Sequence, residues 1–193
     1  INLDTGQRLA QFKQITAQNT RRRSYIRTIN LTIELDPYST KARAEFETSK
    51  EHHRNNKVFV TTIQSLFSIL EPWPETESGI CLSIQAQSPS DIITPQRSKE
   101  ARRDPITDLR HRRFERSYLQ FSEVYLEGLP AVRAITTLSL GHVGVKRLVL
   151  PASCALIASK LPRLQRVDLS LSDSEKRDKA LRKQNRNGKS IIN

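Results

Sequence analysis

The chain has 193 residues, 36% hydrophobic and 27% charged, enough for one domain with a sizeable core, though polar for a globular class. Thirty-two Lys and Arg against 20 Asp and Glu give a formal charge of +12, which raises anionic partners but does not bear on the fold. The longest apolar stretches, near 58–70 and 148–161, contain polar residues and fall short of a bilayer core about 30 Å thick, so no membrane partner is expected.

The chain starts at Ile1 and contains no Met, which reads as a fragment or a processed product. The start has no cationic segment followed by an apolar run, so no signal peptide is visible. Residues 8–20 carry Leu9, Phe12, Lys13 and Ile15 at a weakly amphipathic spacing that reads as a short helix. After Arg21, Arg22 and Arg23, the strict alternation of Ile29, Leu31, Ile33 and Leu35 predicts a half-buried strand over 26–35, stopped by Asp36-Pro37. Residues 39–57 are charged and nearly free of large aliphatics, so they read as a loop or a solvated helix, with Asn56 as a candidate cap for the next helix. Apolar residues at 59, 60, 63, 66, 67 and 70 then predict that helix over 58–70, ended by Glu71-Pro72-Trp73-Pro74. A second strand is expected over 80–86, from the alternation of Ile80, Leu82, Ile84 and Ala86, closing at Ser88-Pro89-Ser90.

Residues 91–116 form a long insertion rich in Lys and Arg, with Pro95 and Pro105, and read as a flexible surface loop. A third strand is expected over 117–121. The last third contains an internal echo. Leu129-Pro130 is followed by Val132, Ile135 and Leu138-Ser139-Leu140; Leu161-Pro162 is followed by Leu164, Val167 and Leu169-Ser170-Leu171, with one residue fewer before its Leu-x-Leu. Pro151 opens a helix over 151–160 between the copies. Leu at fixed spacing points each strand into a shared core, and the helix returns the chain to begin the next parallel strand. Strands are therefore placed at 26–35, 80–86, 117–121, 135–140 and 166–171, and helices at 58–70, 151–160 and 173–184. The fold class expected is α/β, a single irregular leucine-rich-repeat-like region over 1–193 with mostly parallel strands and a frayed tail at 185–193.

The segment Arg22-Arg23-Ser24-Tyr25-Ile26-Arg27-Thr28-Ile29-Asn30-Leu31 and the helix running into Pro72-Trp73 carry a wider resemblance. The strand before Ser88-Pro89-Ser90-Asp91 adds to it, as does the closing block Ala158-Ser159-Lys160-Leu161-Pro162-Arg163-Leu164 with Asp168-Leu169-Ser170-Leu171-Ser172-Asp173. In pattern and order these resemble the region that follows the F-box in fungal F-box proteins. The resemblance implies a region that recruits a protein substrate, of unknown identity, to a cullin-based ubiquitin ligase. The Skp-type adaptor and the cullin would be reached only through an F-box, and no F-box pattern lies within residues 1–193.

No catalytic signature accompanies the pattern, and a non-enzymatic role without cofactor is expected. His52, His53, His111 and His142 have no ligand partner at i+3 or i+4, so no metal site is expected. His52 and His53 read as solvated. Gly141-His142-Val143-Gly144-Val145-Lys146 lacks the Ser or Thr a phosphate loop needs after its Lys, and no Gly-x-Ser-x-Gly elbow is present. Cys81 and Cys154 lie in apolar patterns and read as buried thiols, suiting the cytoplasm or nucleus. The rival reading is a basic nucleic-acid-binding module. Its candidate anion or partner contacts, shared with the recruiting reading, are Arg21, Arg22, Arg23, Arg102, Arg103, Arg112 and Arg113. Aromatics are scarce at 6% and do not interleave with the basic runs, which disfavours single-strand stacking.

Overall fold

Alternation of period two puts one set of strand side chains into the core and the other on the opposite face, and it does so in the inner strands of an all-parallel five-stranded sheet, whereas the four residues 166–169 of the last strand are all exposed. A computed structural model describes residues 1–4, 7–18, 20–75, 77–91, 113–114, 117–141 and 147–169. Its strands are β1 (Asn2–Asp4), β2 (Thr28–Glu34), β3 (Ile80–Gln87), β4 (Ile135–Leu140) and β5 (Arg166–Leu169), all parallel and ordered in the sheet as in the chain. The described helices are α1 (Gln7–Gln18), α2 (Thr20–Arg23), α3 (Ser49–Leu70) and α4 (Pro151–Ser159). The α/β class is as expected, and the strands are wholly parallel.

Register makes the core continuous. Leu3, Leu31, Ile84, Leu140 and Leu169 form one row across the five strands; Ile29, Leu82, Leu138 and Val167 form a second. Phe59, Ile63, Leu66, Phe67 and Leu70 of α3 are fully buried against these rows, joined by Leu9 and Phe12 of α1 and Ile157 of α4. Each such side chain contributes about 1.5–3 kcal/mol by leaving water. Every buried helical hydrophobe belongs to the one cluster whose strand members come from this face. Trp73, just past α3, stacks tilted on Phe12 at 5.6 Å and closes the end of the cluster.

Four expectations are corrected. The helix placed at 58–70 begins nine residues earlier, at Ser49. Thr48 accepts from the Glu51 N–H, and the Glu51 carboxylate accepts from the Thr48 N–H, a reciprocal cap. Asn56 is therefore inside the helix rather than its cap, and its Oδ1 accepts from the Gln120 N–H at 3.0 Å. Residues 117–121 do not add a strand to the sheet. Leu119 makes one isolated parallel bridge with Val149, while Gln120 and Phe121 give their N–H groups to the side chains of Asn56 and Ser153.

The repeat also has another register than the one-residue difference expected. Leu138 and Leu140 lie against Val167 and Leu169, nine residues after Leu129 but only six from Leu161 to Val167. Part of the longer approach is an extra residue in the β3–β4 pairing: Ile135 pairs with Ile80 and Thr137 with Cys81, leaving Thr136 over. Gly79 makes room for it, because its φ of +60° is left-handed and a Cβ there would overlap the Thr136 side chain. The strand β1 has no counterpart among the expected elements, being too short to show alternation. The helix expected at 173–184, residues 170 and 171 of the last strand and most of the 91–116 insertion lie outside the described residues.

Thr48→Ala removes one half of the α3 cap and should cost about 1 kcal/mol, read as a lower urea midpoint with unchanged slope.

Candidate partner-binding surfaces

Three features could carry function: a buried ionic cluster at the ends of β2 and β3, the basic segments, and the sheet face turned away from the helices. The cluster begins where β2 and β3 stop. Asp36-Pro37 and Ser88-Pro89 end the strands side by side, and Ser88 Oγ donates to the Asp36 carbonyl at 2.9 Å. Tyr38 Oη donates to Asp91 Oδ1 at 2.6 Å, and Asp91 Oδ2 accepts from the Ser88 N–H at 2.7 Å. Arg113 lies over the Tyr38 ring at 4.6 Å, donates to the Glu45 carbonyl at 3.0 Å and pairs with Glu51 at 2.8 Å. Arg147 pairs with Glu47 at 2.9 Å and lies against the Phe114 ring. Asp91 and Arg113, at the two ends of the basic insertion, thus meet around Tyr38.

Burial dominates the electrostatics. The Arg147 and Glu47 side chains are only 2% and 1% exposed. Burial pulls the Arg147 guanidinium below the usual arginine range, opposed by the charges of Glu47 and Asp91. Burial also pushes Glu51 upward, but its bonds to Thr48 and the charge of Arg113 outweigh this and hold its carboxyl below the ordinary range. Arg113 was expected as an exposed anion or partner contact. It is instead 2% exposed, its guanidinium turned onto carbonyls and Glu51. Arg147 and Glu47 were not singled out in the sequence, because nothing local shows that charges 100 residues apart in the chain will be buried together.

Ser117, His52 and Glu47 meet in this cluster, a set of residue types that can form a nucleophilic triad. Their connectivity is different. Ser117 Oγ donates to Glu47 and lies 3.1 Å from His52 Nδ1, and Glu47 Oε2 lies 3.5 Å from the same nitrogen, so serine and carboxylate share one ring nitrogen. In a triad the base relays between them through its two opposite nitrogens. Here Nε2 accepts from Asn56 Nδ2 at 3.0 Å. The bonds run in one direction, from the Gln120 N–H through Asn56, His52 and Ser117 to Glu47. Beside Glu51, Arg113 and Arg147 the free space is about 10 Å³, room for a water and not for an organic substrate. His52 is therefore engaged rather than solvated as expected; His53 is exposed.

The remaining candidates divide. Arg21 and Arg22 of α2 are exposed and Arg23 is half-buried, its guanidinium over the Trp73 ring at 5.8 Å. Arg102, Arg103 and Arg112 lie outside the described residues. Both cysteines are free thiols; Cys154 is buried as expected, and burial pushes its thiol up to about 11, while Cys81 is half-buried on the polar side of β3. Among the described residues no group of three metal-ligating side chains forms and no helix is long and apolar enough to cross a membrane.

The third feature is the outer face of the sheet. Asn2, Asn30, Ser83, Ser139 and Asp168 form one row across it, and Thr28, Cys81, Thr137 and Arg166 a second. The members on β2, β3 and β4 are half-buried, apart from the exposed Thr28. Neighbours within a row bond to one another: Asn30 Nδ2 donates to Asn2 at 2.8 Å, and Gln85 Nε2 to Thr32 at 2.7 Å. The side chains are short, so the face is shallow. Among the described residues Asp4, Glu34 and Asp168 oppose Arg166 there, and even with Arg8 paired to Asp4 the face is mildly acidic in a chain of charge +12.

Removing one partner of the buried pair leaves an uncompensated charge. Glu47→Ala should destabilise the fold by about 3–5 kcal/mol in urea unfolding, with part recovered when Arg147→Leu is added.

Comparison with protein-family models, with curated proteins and with solved structures gives no match to this chain.

Proposed function

We propose that this chain is the partner-recruiting region of an F-box-type subunit of a cullin-based ubiquitin ligase, holding its protein partner on the polar face of the sheet without catalysis. The observation that carries the reading is the one-sided sheet. Parallel sheets ordinarily have both faces covered and read as continuous apolar runs. Here β2 and β3 alternate strictly, and among the described residues the buried helical side chains join one face only. Parallel strands in chain order with helices on one side are how stacked strand–helix units build an extended binding surface. The resemblance to the region after the F-box in fungal F-box proteins adds the ligase context. The adaptor and cullin would be reached through an F-box outside these residues.

A second reading, a basic nucleic-acid-binding module, is favoured by the exposed Arg21 and Arg22 and by the charge of +12. The mildly acidic sheet face does not suit phosphates, so such binding would use the basic segments.

Ser83→Arg and Ser139→Arg place long cations on the sheet face, and Ser68→Arg on the outer surface of α3 is the control. In pull-downs from fungal extract the two sheet variants should lose a set of proteins that the control retains, and the full reading frame should add the adaptor and cullin. An identical set on all baits would overturn the reading. Fluorescence anisotropy of a labelled duplex should show no binding at low salt; tight binding that weakens steeply with salt would put the nucleic-acid reading in its place.

A further inference from the structure

A cleft of about 540 Å³ opens between β1, α1 and the turn that leads from α2 into β2. Its lining includes the buried Leu3, Phe12 and Ile26, which also belong to the core. Ile1, Ile15 and Tyr25, three of the exposed large hydrophobic residues, also line it, at 50%, 47% and 69% exposure. Apolar side chains grouped in a concavity with a polar rim mark interaction sites, whereas scattered ones are ordinary surface.

The rim is cationic. Arg8, Arg22 and Arg27 line the cleft, and no Asp or Glu does. Arg8 shares its charge with Asp4 at 3.3 Å, and Arg27 donates to the carbonyl of Ser24 at 2.6 Å. Arg21 and Arg23 stand beside Arg22 on the four-residue α2. The three lining guanidiniums come from different segments: Arg8 from α1, Arg22 from α2 and Arg27 from the turn before β2. Cations spread in this way suit several carboxylates spaced along a chain better than a single anionic head. An apolar concavity favours inserted side chains over a flat charged surface.

We propose that this cleft binds an acidic peptide segment of a partner protein, with one or two large apolar side chains held over Phe12, Ile15 and Ile26 and carboxylates on Arg8, Arg22 and Arg27. The site meets the sheet face only at its β1 edge, through Asn2 and Thr28, and does not depend on the ligase reading. It gives the arginine run before β2 a specific role: Arg22 and Arg27 select charge, and the hydrophobic lining supplies contact area.

The test uses the full chain and a fluorescein-labelled peptide that alternates glutamate with leucine and phenylalanine, followed by anisotropy. The comparators are the same peptide with lysine for glutamate, vesicles of phosphatidylserine and phosphatidylcholine, and a single-stranded oligonucleotide. Saturable binding of the acidic peptide is expected, weaker at higher salt and absent for the lysine peptide. Arg22→Glu with Arg27→Glu should weaken it about tenfold or more. Ile15→Ser and Tyr25→Ser alter side chains already exposed in the free chain, so they test the cleft without loss of fold, and each should weaken binding severalfold. Ser83→Arg should leave it unchanged, which separates this site from the sheet face. No saturable binding would overturn the proposal, as would binding indifferent to the Ile15 and Tyr25 changes. Tighter binding of the vesicles or the oligonucleotide, lost in the same variants, would also overturn it and assign the cleft to that ligand.

Discussion

A parallel strand must be reached by a crossover, and when the helices between the strands pack on the same side, as the described ones do here, the sheet acquires one apolar face and one polar face. That constraint underlies the whole structure. It requires side chains to alternate along each strand, as Ile29, Leu31 and Ile33 do in β2 and Ile80, Leu82, Ile84 and Ala86 do in β3. It also aligns neighbouring strands, since a slip of one residue would exchange the faces and bury Asn30 and Ser83 in place of Leu31 and Ile84. The cost is exposed edges. At the β5 end, Val167 and Leu169 continue the apolar rows yet stay 43% and 39% exposed. At the β1 end, the apolar row runs out beside the cleft lined by arginines.

Charge is put to two uses. Inside, Arg113, Arg147, Glu47, Glu51 and Asp91 tie the ends of β2 and β3 to the start of α3 and to both ends of the basic insertion. Such a cluster is weak evidence for stability, because desolvation offsets most of the attraction, but its geometry is demanding. Arg147 must face Glu47 across a hundred residues of chain, and Arg113 must stack on Tyr38 while reaching Glu51. The cluster holds the base of the insertion in one arrangement and takes two arginines out of the surface charge.

Outside, the net charge of +12 is unevenly placed. The sheet face is mildly acidic, whereas the segment from Arg21 to Arg27 is strongly basic and lies beside exposed Ile15 and Tyr25. A single electrostatic description of the chain therefore misleads. The two surfaces differ in charge and in shape.

Much of the architecture was legible locally. Alternation located β2 and β3 nearly to the residue, the repeated Leu-x-Leu located β4, and Pro151 and the helical spacing after it located α4. The α3 cap was legible too, since Thr48-Ser49-Lys50-Glu51 has the spacing of a reciprocal cap, but the charged residues after it hide a helix whose apolar face starts only near Phe59. The three residues of β1 carry no period. Leu119 shows strand-like character that the tertiary structure does not use, because its neighbours give their N–H groups to side chains of α3 and α4. The candidate sites were less legible still. Basic runs are visible in any sequence, but Arg22 at a cleft and Arg113 in a buried cluster differ only in what long-range packing brings against them. The sequence by itself determined most of the longer elements, the alternation of β2 and β3 and hence a sheet with one apolar face, because period and capping are local properties. Only the tertiary structure decided the strand order, the repeat register and which arginines are buried, because each depends on groups brought together from distant parts of the chain.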